Sequence, residues 1–160
     1  MVQQQRRSRV IAMSPAELDA FLGEQRTCRL ATTGPGGPHV APLWFVWDTR
    51  ALWVSSLIRS QRWANVARDP RVAVVVDDGH HYHELRGVEI EGEAVPVGPV
   101  PRPAGDQAFA ELAEPERLMA AKYSSGSSGS SGDGRHAWLR ITPVKIVSWD
   151  FRKLATLPGR

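Results

Sequence analysis

A short segment of the chain, residues 40–47, is apolar on both faces of an extended strand. Its sequence is V-A-P-L-W-F-V-W, and side chains alternate between the two faces of a β-strand. One face is predicted to carry Val40, Pro42, Trp44 and Val46, and the other Ala41, Leu43, Phe45 and Trp47. One face can fill a core, whereas the other needs a cover, which a small chain with few helices obtains most readily from a second copy of itself. The segment therefore predicts a homodimer.

Pro42 removes a backbone hydrogen-bond donor from the middle of this predicted strand. Proline is tolerated there at a sheet edge, at a bulge or at an interrupted pairing, and each would leave backbone against which a flat ligand can lie. A core strand with an edge proline and no ligand is the alternative, and this segment alone leaves both open.

Strand patterns outnumber helix patterns in the rest of the sequence. Seven strands are predicted, at residues 27–33, 38–47, 51–56, 71–78, 86–97, 135–142 and 144–151. Short helices are predicted at residues 14–23, 60–70 and 106–123. This balance favours a mostly β fold with a few short helices, a small β-barrel rather than a layered α/β sheet.

The predicted helices carry recognisable start and stop signals. Ser14 and Glu17 form a capping box, and Gly23 is expected to end the first helix. Pro70 is expected to end the second helix, and Pro115 is expected to kink or split the third.

Composition predicts a single domain over residues 1–160, because 42% of the residues are apolar and 23% are charged. Residues 124–132 repeat Ser-Ser-Gly three times, so 124–134 is predicted to be a flexible loop or an engineered linker. The amino terminus lacks an apolar signal-peptide core, and the longest apolar run, 42–47, is far shorter than the roughly 20 residues of a membrane helix. With Cys28 as the single cysteine, we expect a cytoplasmic protein that does not enter a membrane.

Hydroxyl and arginine side chains cluster where the third predicted strand gives way to a helix, in S-S-L-I-R-S-Q-R-W-A-N, residues 55–65. A helix that begins near Ser60 presents free N–H groups and the positive end of its dipole, which favours an anion. Ser55 and Ser56 add hydroxyl groups, and Arg59 and Arg62 can donate charge-assisted hydrogen bonds. The corner predicts a phosphate site; the alternative is an ordinary N-cap followed by solvated arginines.

Three stretches together resemble the pyridoxamine 5'-phosphate oxidase-like split β-barrel superfamily of flavin- and deazaflavin-dependent oxidoreductases. They are L-A-T-T-G-P-G-G-P-H-V-A-P-L-W-F-V-W, then L-W-V-S-S-L-I-R-S-Q-R-W-A-N-V-A-R-D-P-R-V-A-V-V-V-D-D, then R-G-V-E-I-E-G-E-A. The resemblance spans about residues 14–98, with a weaker similarity over 141–154. It implies an FMN-binding split β-barrel of Greek-key connectivity that forms a homodimer.

The resemblance also implies a cofactor site. In the superfamily a hydroxyl residue and a later Ser-Arg-Lys hold the cofactor phosphate, and these positions correspond here to Ser56 and to Ser60, Gln61 and Arg62. Gln61 loses a charge that Arg59 is expected to restore. FMN or the deazaflavin coenzyme F-420 would bind at the dimer interface, with its ring against the backbone of Pro42, Leu43 and Trp44. Trp149 corresponds to a tryptophan that approaches the cofactor in relatives, and a packed tryptophan is its alternative.

An Arg-Leu-His-x-Arg signature that holds the substrate phosphate in pyridoxamine phosphate oxidases is absent from the carboxyl terminus, so that activity is not expected. The prediction is an oxidoreductase that transfers hydride to or from a small organic substrate. A non-catalytic flavin or deazaflavin carrier or sensor on the same fold is the alternative, and a nucleic-acid binder fits less well because the aromatic residues lie in apolar strands. His80, His81 and His83 are predicted in a loop, without an obvious metal ligand set.

Overall fold

The computed structural model describes residues 9–123 and 132–156. Its helices are α1 (Pro15–Glu24), α2 (Gln61–Arg68) and α3 (Ala113–Tyr123), with 3-10 turns at Tyr82–Glu84, Ala110–Leu112 and Phe151–Thr156. Its strands are β1 (Thr27–Gly34), β2 (Gly37–Trp44), β3 (Val46–Trp47), β4 (Leu52–Leu57), β5 (Arg71–Asp78), β6 (Arg86–Val97) and β7 (His136–Asp150). None of the helices within these ranges has the length and apolar character needed to cross a membrane.

All seven strands belong to one antiparallel sheet with the order β2-β1-β5-β6-β7-β4-β3. The sheet curls until its edge strand β2 contacts β4 and α2 without pairing to them, which leaves a split in an otherwise closed barrel. The predicted mostly β fold with a few short helices is confirmed. The split matters for function because it opens beside the corner between β4 and α2.

Two apolar clusters hold the sheet and helices together. The larger fills the barrel with side chains from α1 and the inner faces of β1, β4, β5, β6 and β7. The smaller lies between α3 and the outer side of β4 and β7, around Trp53, Met119 and Trp138. Cys28 is fully buried in the larger cluster, and burial raises the pKa of its thiol to about 12, so it contributes packing rather than reactivity.

Two of the predicted strand boundaries are wrong. The second predicted strand breaks at Phe45, because β2 ends on one edge of the sheet and β3 begins on the other, and Val46 is therefore buried and does not share the exposed face of Val40. The last two predicted strands are one continuous strand, β7, which pairs with β6 from Trp138 to Asp150. Pro143 did not end it, because Val144 is absorbed as an extra residue opposite Glu91 and Gly92.

The starts of the first two helices are predicted correctly, whereas the third predicted helix, 106–123, begins only at Ala113, after a 3-10 turn at Ala110–Leu112. The Ser14 capping box forms, with the Ser14 hydroxyl accepting from Glu17 N at 3.3 Å. The helix continues past Gly23 to Glu24, because the chain leaves it in an extended conformation at Gln25 that needs no glycine. Pro115 neither kinks nor splits a helix, since it occupies the first turn of α3, where a missing N–H has no intrahelical partner to lose.

The segment between β6 and α3 is fixed by a buried arginine. Arg102 is 5% exposed, forms an ion pair with Glu116 of α3, and donates from Nη2 to the carbonyl of Gln107 at 2.9 Å. Its backbone N–H donates to His136 O at 2.8 Å, which ties the segment to the start of β7. The predicted loop at 124–134 lies mostly outside the described residues, but Gly132 forms a β-bridge with Gly105 on this same segment.

Candidate functional site

Helix α2 begins with a serine cap beside the end of β4. The Ser60 hydroxyl accepts from Trp63 N at 3.2 Å and donates to Leu57 O at 2.8 Å, so the hydroxyl both caps the helix and closes the turn. Ser56 is fully buried, and its Oγ lies 3.4 Å from the Oγ of Ser60. Two hydroxyl groups therefore lie next to the free N–H groups of the first helical turn.

Arg62 lies over this pair of hydroxyls, and its Nε donates to the Ser56 hydroxyl at 2.9 Å. The side chain is about half-buried, and burial lowers the pKa of its guanidinium. Among residues 9–123 and 132–156, no carboxylate forms an ion pair with it. A partly desolvated cation without a counter-ion is unfavourable, so the Arg62 guanidinium would be stabilised by an anion bound at this corner.

A polar network around Asn65 fastens α2 to β1. Asn65 is buried; its Nδ2 donates to Thr32 Oγ1 at 3.0 Å, and its Oδ1 accepts from Gln61 at 2.8 Å and from Arg68 at 3.0 Å. At Gly34 a Cβ atom would collide with the Asn65 side chain, so the glycine lets the β1–β2 turn approach α2. Gln61, a predicted cofactor ligand, has its side-chain amide engaged in this network.

The remaining residues predicted for the corner are not all brought together. Ser55 precedes Ser56 on β4 and is half-buried on the opposite face, because successive strand residues alternate. Arg59 is exposed in the turn between β4 and α2. The structure therefore assembles Ser56, Ser60 and Arg62 into one cluster, leaves Arg59 at its solvent edge and places Ser55 elsewhere.

Pro42, Leu43 and Trp44 lie on β2, the edge strand that borders the split. Leu43 points inward against the barrel core, whereas Pro42 and Trp44 point outward with Val40, which is 66% exposed. β2 is an edge strand that pairs only with β1. The missing N–H of Pro42 is therefore tolerated, as it would not be in an inner strand that pairs on both sides. The free edge of β2 therefore presents backbone to the split.

Trp44 also belongs to an aromatic pair that the sequence pattern did not reveal. Its indole stacks on Tyr123 with ring centroids 4.5 Å apart and planes inclined by 14°. The Tyr123 hydroxyl accepts from Phe45 N at 3.1 Å and lies within hydrogen-bond distance of the carbonyls of Phe45 and Arg26. Tyr123 is thus rigidly held, and it supports one face of Trp44 while half of the indole stays exposed.

Trp149 lies at the opposite end of β7 from the corner. Ser56 pairs with Ala137, and Trp149 follows twelve residues later, about 40 Å further along an extended strand. It packs over Gly87, whose missing side chain makes room for the indole, on the same outer face as Pro42. Within one chain Trp149 therefore does not reach the Ser56 corner.

His39 also lies on β2, in the same region. It points inward from β2 beside Thr32, its partner in the β1–β2 register. Its Nδ1 is buried and is the one buried side-chain nitrogen or oxygen without a hydrogen-bond partner in the described part of the chain. Only the folded structure could show this, because a histidine in a strand usually finds a partner.

The residues present fit a phosphate-bearing planar group. An uncompensated half-buried guanidinium, two hydroxyls and a helix N-terminus lie together at one end of the split, which suits a phosphate. The free edge of β2 and the apolar side chains around it suit a flat ring.

Comparison with known proteins gives a consistent result. The family profile described as pyridoxamine 5'-phosphate oxidase matches residues 14–150. No curated protein sequence matches the chain significantly.

Solved structures share the fold. The conserved hypothetical protein Rv2991 from Mycobacterium tuberculosis is 31% identical, with a TM-score of 0.78, over 98% of this chain and 96% of that one. A FAD-binding protein from Mesorhizobium loti is 19% identical with a TM-score of 0.65, over 86% and 93% of the two chains. An F420 reductase is 24% identical with a TM-score of 0.60, over 80% and 94%.

Proposed function

The chain belongs to the pyridoxamine 5'-phosphate oxidase family, and we propose that it is an oxidoreductase that uses coenzyme F-420 or FMN to transfer hydride to or from a small organic substrate. Structures of the same fold include proteins described as FAD-binding and as an F420 reductase, which supports this cofactor class. The observation that carries the proposal is Arg62, a half-buried cation that is held by Ser56 and has no carboxylate partner in the described ranges.

One group of residues would anchor the cofactor's phosphate, and another would orient its ring. Arg62, Ser56 and Ser60 would hold the phosphate, with Arg59 adding charge at the solvent edge. The edge of β2 at Pro42–Trp44 would orient the ring and keep water from one of its faces. The bound cofactor supplies the hydride chemistry itself, so the protein's contribution is to bind, orient and exclude water.

Titration of the purified protein with FMN and, separately, with F-420 tests this proposal. We expect one of them to bind with a shift of its absorbance band, roughly at 400–450 nm for these rings, and with turnover when a suitable electron donor and acceptor are supplied. Binding without turnover of any of a broad set of acceptors would favour the carrier or sensor instead. Absence of binding by both compounds would overturn the proposal.

We also propose that the active form is a homodimer whose interface is the outer face of β2, β1, β5, β6 and β7. Side chains of this face include Val40, Pro42, Trp44, Ala31, Ala73, Val75 and Val147. Cross-strand ion pairs, Arg29 with Asp77 and Lys145 with Glu91, lie among them. An exposed face that is this apolar is best explained by a partner surface.

A two-fold pairing of this face also accounts for Trp149. In the strand order, β7 lies four strands from β2, about 19 Å away. A two-fold axis through the middle of the face would exchange its β2 side with its β7 side, so that Trp149 of one subunit approaches the β2 edge of the other. The predicted role of Trp149 at the cofactor therefore depends on the dimer.

Replacing Val40 with glutamate is expected to convert the dimer into a monomer, because a charge would be buried against the apolar face of the partner. Sedimentation velocity measures the change, and cofactor affinity should fall with it. Val100→Glu is the matched control, since Val100 is 49% exposed in the segment before α3 and should leave the assembly intact. A wild-type protein that sediments as a monomer at all concentrations would contradict the dimer.

A further inference from the structure

The buried Nδ1 of His39 requires an explanation that the fold does not supply. Buried nitrogen and oxygen atoms are nearly always hydrogen-bonded, because an unpaired atom loses its hydrogen bonds to water without gaining others, which costs free energy. In the described part of the chain, this atom alone among buried side-chain nitrogens and oxygens has no partner. His39 lies on the strand that borders the split, so a ligand bound there could supply the missing partner.

Helix α2 places His39 and Arg62 beside the same cleft. Arg62 and Asn65 are three residues apart, so they share one face of α2. From this face Arg62 reaches Ser56 on β4, and Asn65 reaches Thr32, the register partner of His39. This face of α2 therefore spans the split. Arg62 lies on the β4 side, and Asn65 lies on the side of Thr32 and its β2 partner His39.

His39 also lies on the same strand as the residues assigned to the ring. It precedes Pro42 by three residues, or about 10 Å along β2. The ring is assigned to Pro42–Trp44 and the phosphate to Arg62, so the part of the cofactor that passes His39 would be the chain that joins them. In FMN and F-420 this chain is a polyol, whose hydroxyls both donate and accept hydrogen bonds.

We propose that His39 is a positioning residue that hydrogen-bonds a hydroxyl of the polyol chain of the bound cofactor. The inference rests on the proposed function and adds a residue and a part of the ligand to it. A hydroxyl suits the site because it can pair with Nδ1 in either tautomer of a neutral imidazole, which a carbonyl oxygen cannot do. The chain that carries the ring would then be held at two points, by its phosphate at Arg62 and by its polyol at His39.

A series of truncated ligands tests this assignment. FMN carries phosphate, polyol and ring, riboflavin lacks the phosphate, and lumiflavin lacks both phosphate and polyol; the 5-deaza series serves if the protein prefers a deazaflavin. Dissociation constants are measured for wild type, His39→Leu and the control His83→Leu, whose side chain is 79% exposed in the 3-10 turn after β5. His39→Leu should weaken FMN and riboflavin by about tenfold each and leave lumiflavin unchanged.

The stability of the ligand-free protein provides a second readout with the opposite sign. Because leucine has nearly the volume of histidine and no unpaired nitrogen, His39→Leu should raise the midpoint of thermal unfolding by about 2–4 °C, whereas His83→Leu should leave it unchanged. A fall in the midpoint would show that Nδ1 is already bonded in the free protein, through water for example, and would overturn the inference.

The outcomes of the ligand series also separate this inference from the function on which it rests. If His39→Leu weakens the binding of all three ligands equally, or of none of them, the role of His39 is overturned while cofactor binding stands. If wild type binds no member of either series, the proposed function fails and the inference fails with it.

Discussion

Replacing Arg62 with alanine is expected to weaken the binding of FMN or F-420 by about 100-fold, as befits the loss of charge-assisted hydrogen bonds to a phosphate. Arg62 is half-buried, hydrogen-bonded to Ser56 and without a carboxylate partner in the described ranges, so an anion bound there meets a partly desolvated charge. Equilibrium titration followed by flavin fluorescence or absorbance measures the effect.

Three controls make the Arg62 result specific. Riboflavin, which has no phosphate, should bind Arg62→Ala about as well as wild type. Arg62→Lys keeps the charge but loses the forked geometry, so it should retain part of the affinity for FMN. Arg50→Ala removes a charge from an exposed turn and should have no effect. An Arg62→Ala protein that binds FMN as tightly as wild type would refute the phosphate site.

Replacing Arg102 with methionine is expected to lower the free energy of unfolding by about 3–5 kcal/mol, because it leaves the largely buried Glu116 carboxylate without its partner. The Arg102 and Glu116 side chains are only 6% and 13% exposed. The guanidinium also closes the segment before α3 through Gln107, and packs over Phe109 with 5.1 Å between Cζ and the ring centroid. Urea denaturation measures the loss.

A matched pair on the same helix separates burial from charge. Arg117 and Glu114 form an ion pair with side chains 63% and 54% exposed, so Arg117→Met should cost less than about 1 kcal/mol. The double variant Arg102→Met, Glu116→Leu should recover much of the loss, because no buried charge then lacks a partner. If Arg102→Met and Arg117→Met destabilise the protein equally, the Arg102–Glu116 pair is not the buried anchor described above.

The fold class and most helices and strands were predictable from the sequence, because their signals depend on residues that are close together along the chain. The Ser14 capping box, the Ser60 cap and the alternation of Val88 and Ile90 with glutamates in β6 all act within a few positions. The errors at Phe45 and Pro143 arise from the sheet as a whole. Whether a strand changes edges at Phe45, or absorbs Val144 as an extra residue, depends on partners far away in sequence.

The candidate site was predictable in part for the same reason. Ser60 and Arg62 are close in sequence, and a helix start brings their groups together. Ser55 and Ser56 are adjacent, yet the pleat of β4 sends them to opposite faces, and only the folded barrel shows that Ser56 is the one beside Arg62. The missing partner of His39 and the stacking of Trp44 on Tyr123 depend on long-range packing that no local pattern contains.

The two prolines of β2 have a consequence for solubility. A sheet edge left open for a ligand is also a template onto which strands of other molecules can add, the first step towards fibrils. Pro38 and Pro42 lie four residues apart on β2, so their backbone nitrogens point to the same side of the strand, and neither carries an N–H. An invading strand would find donors missing at regular intervals, so the protein can keep this border unpaired without polymerising along it.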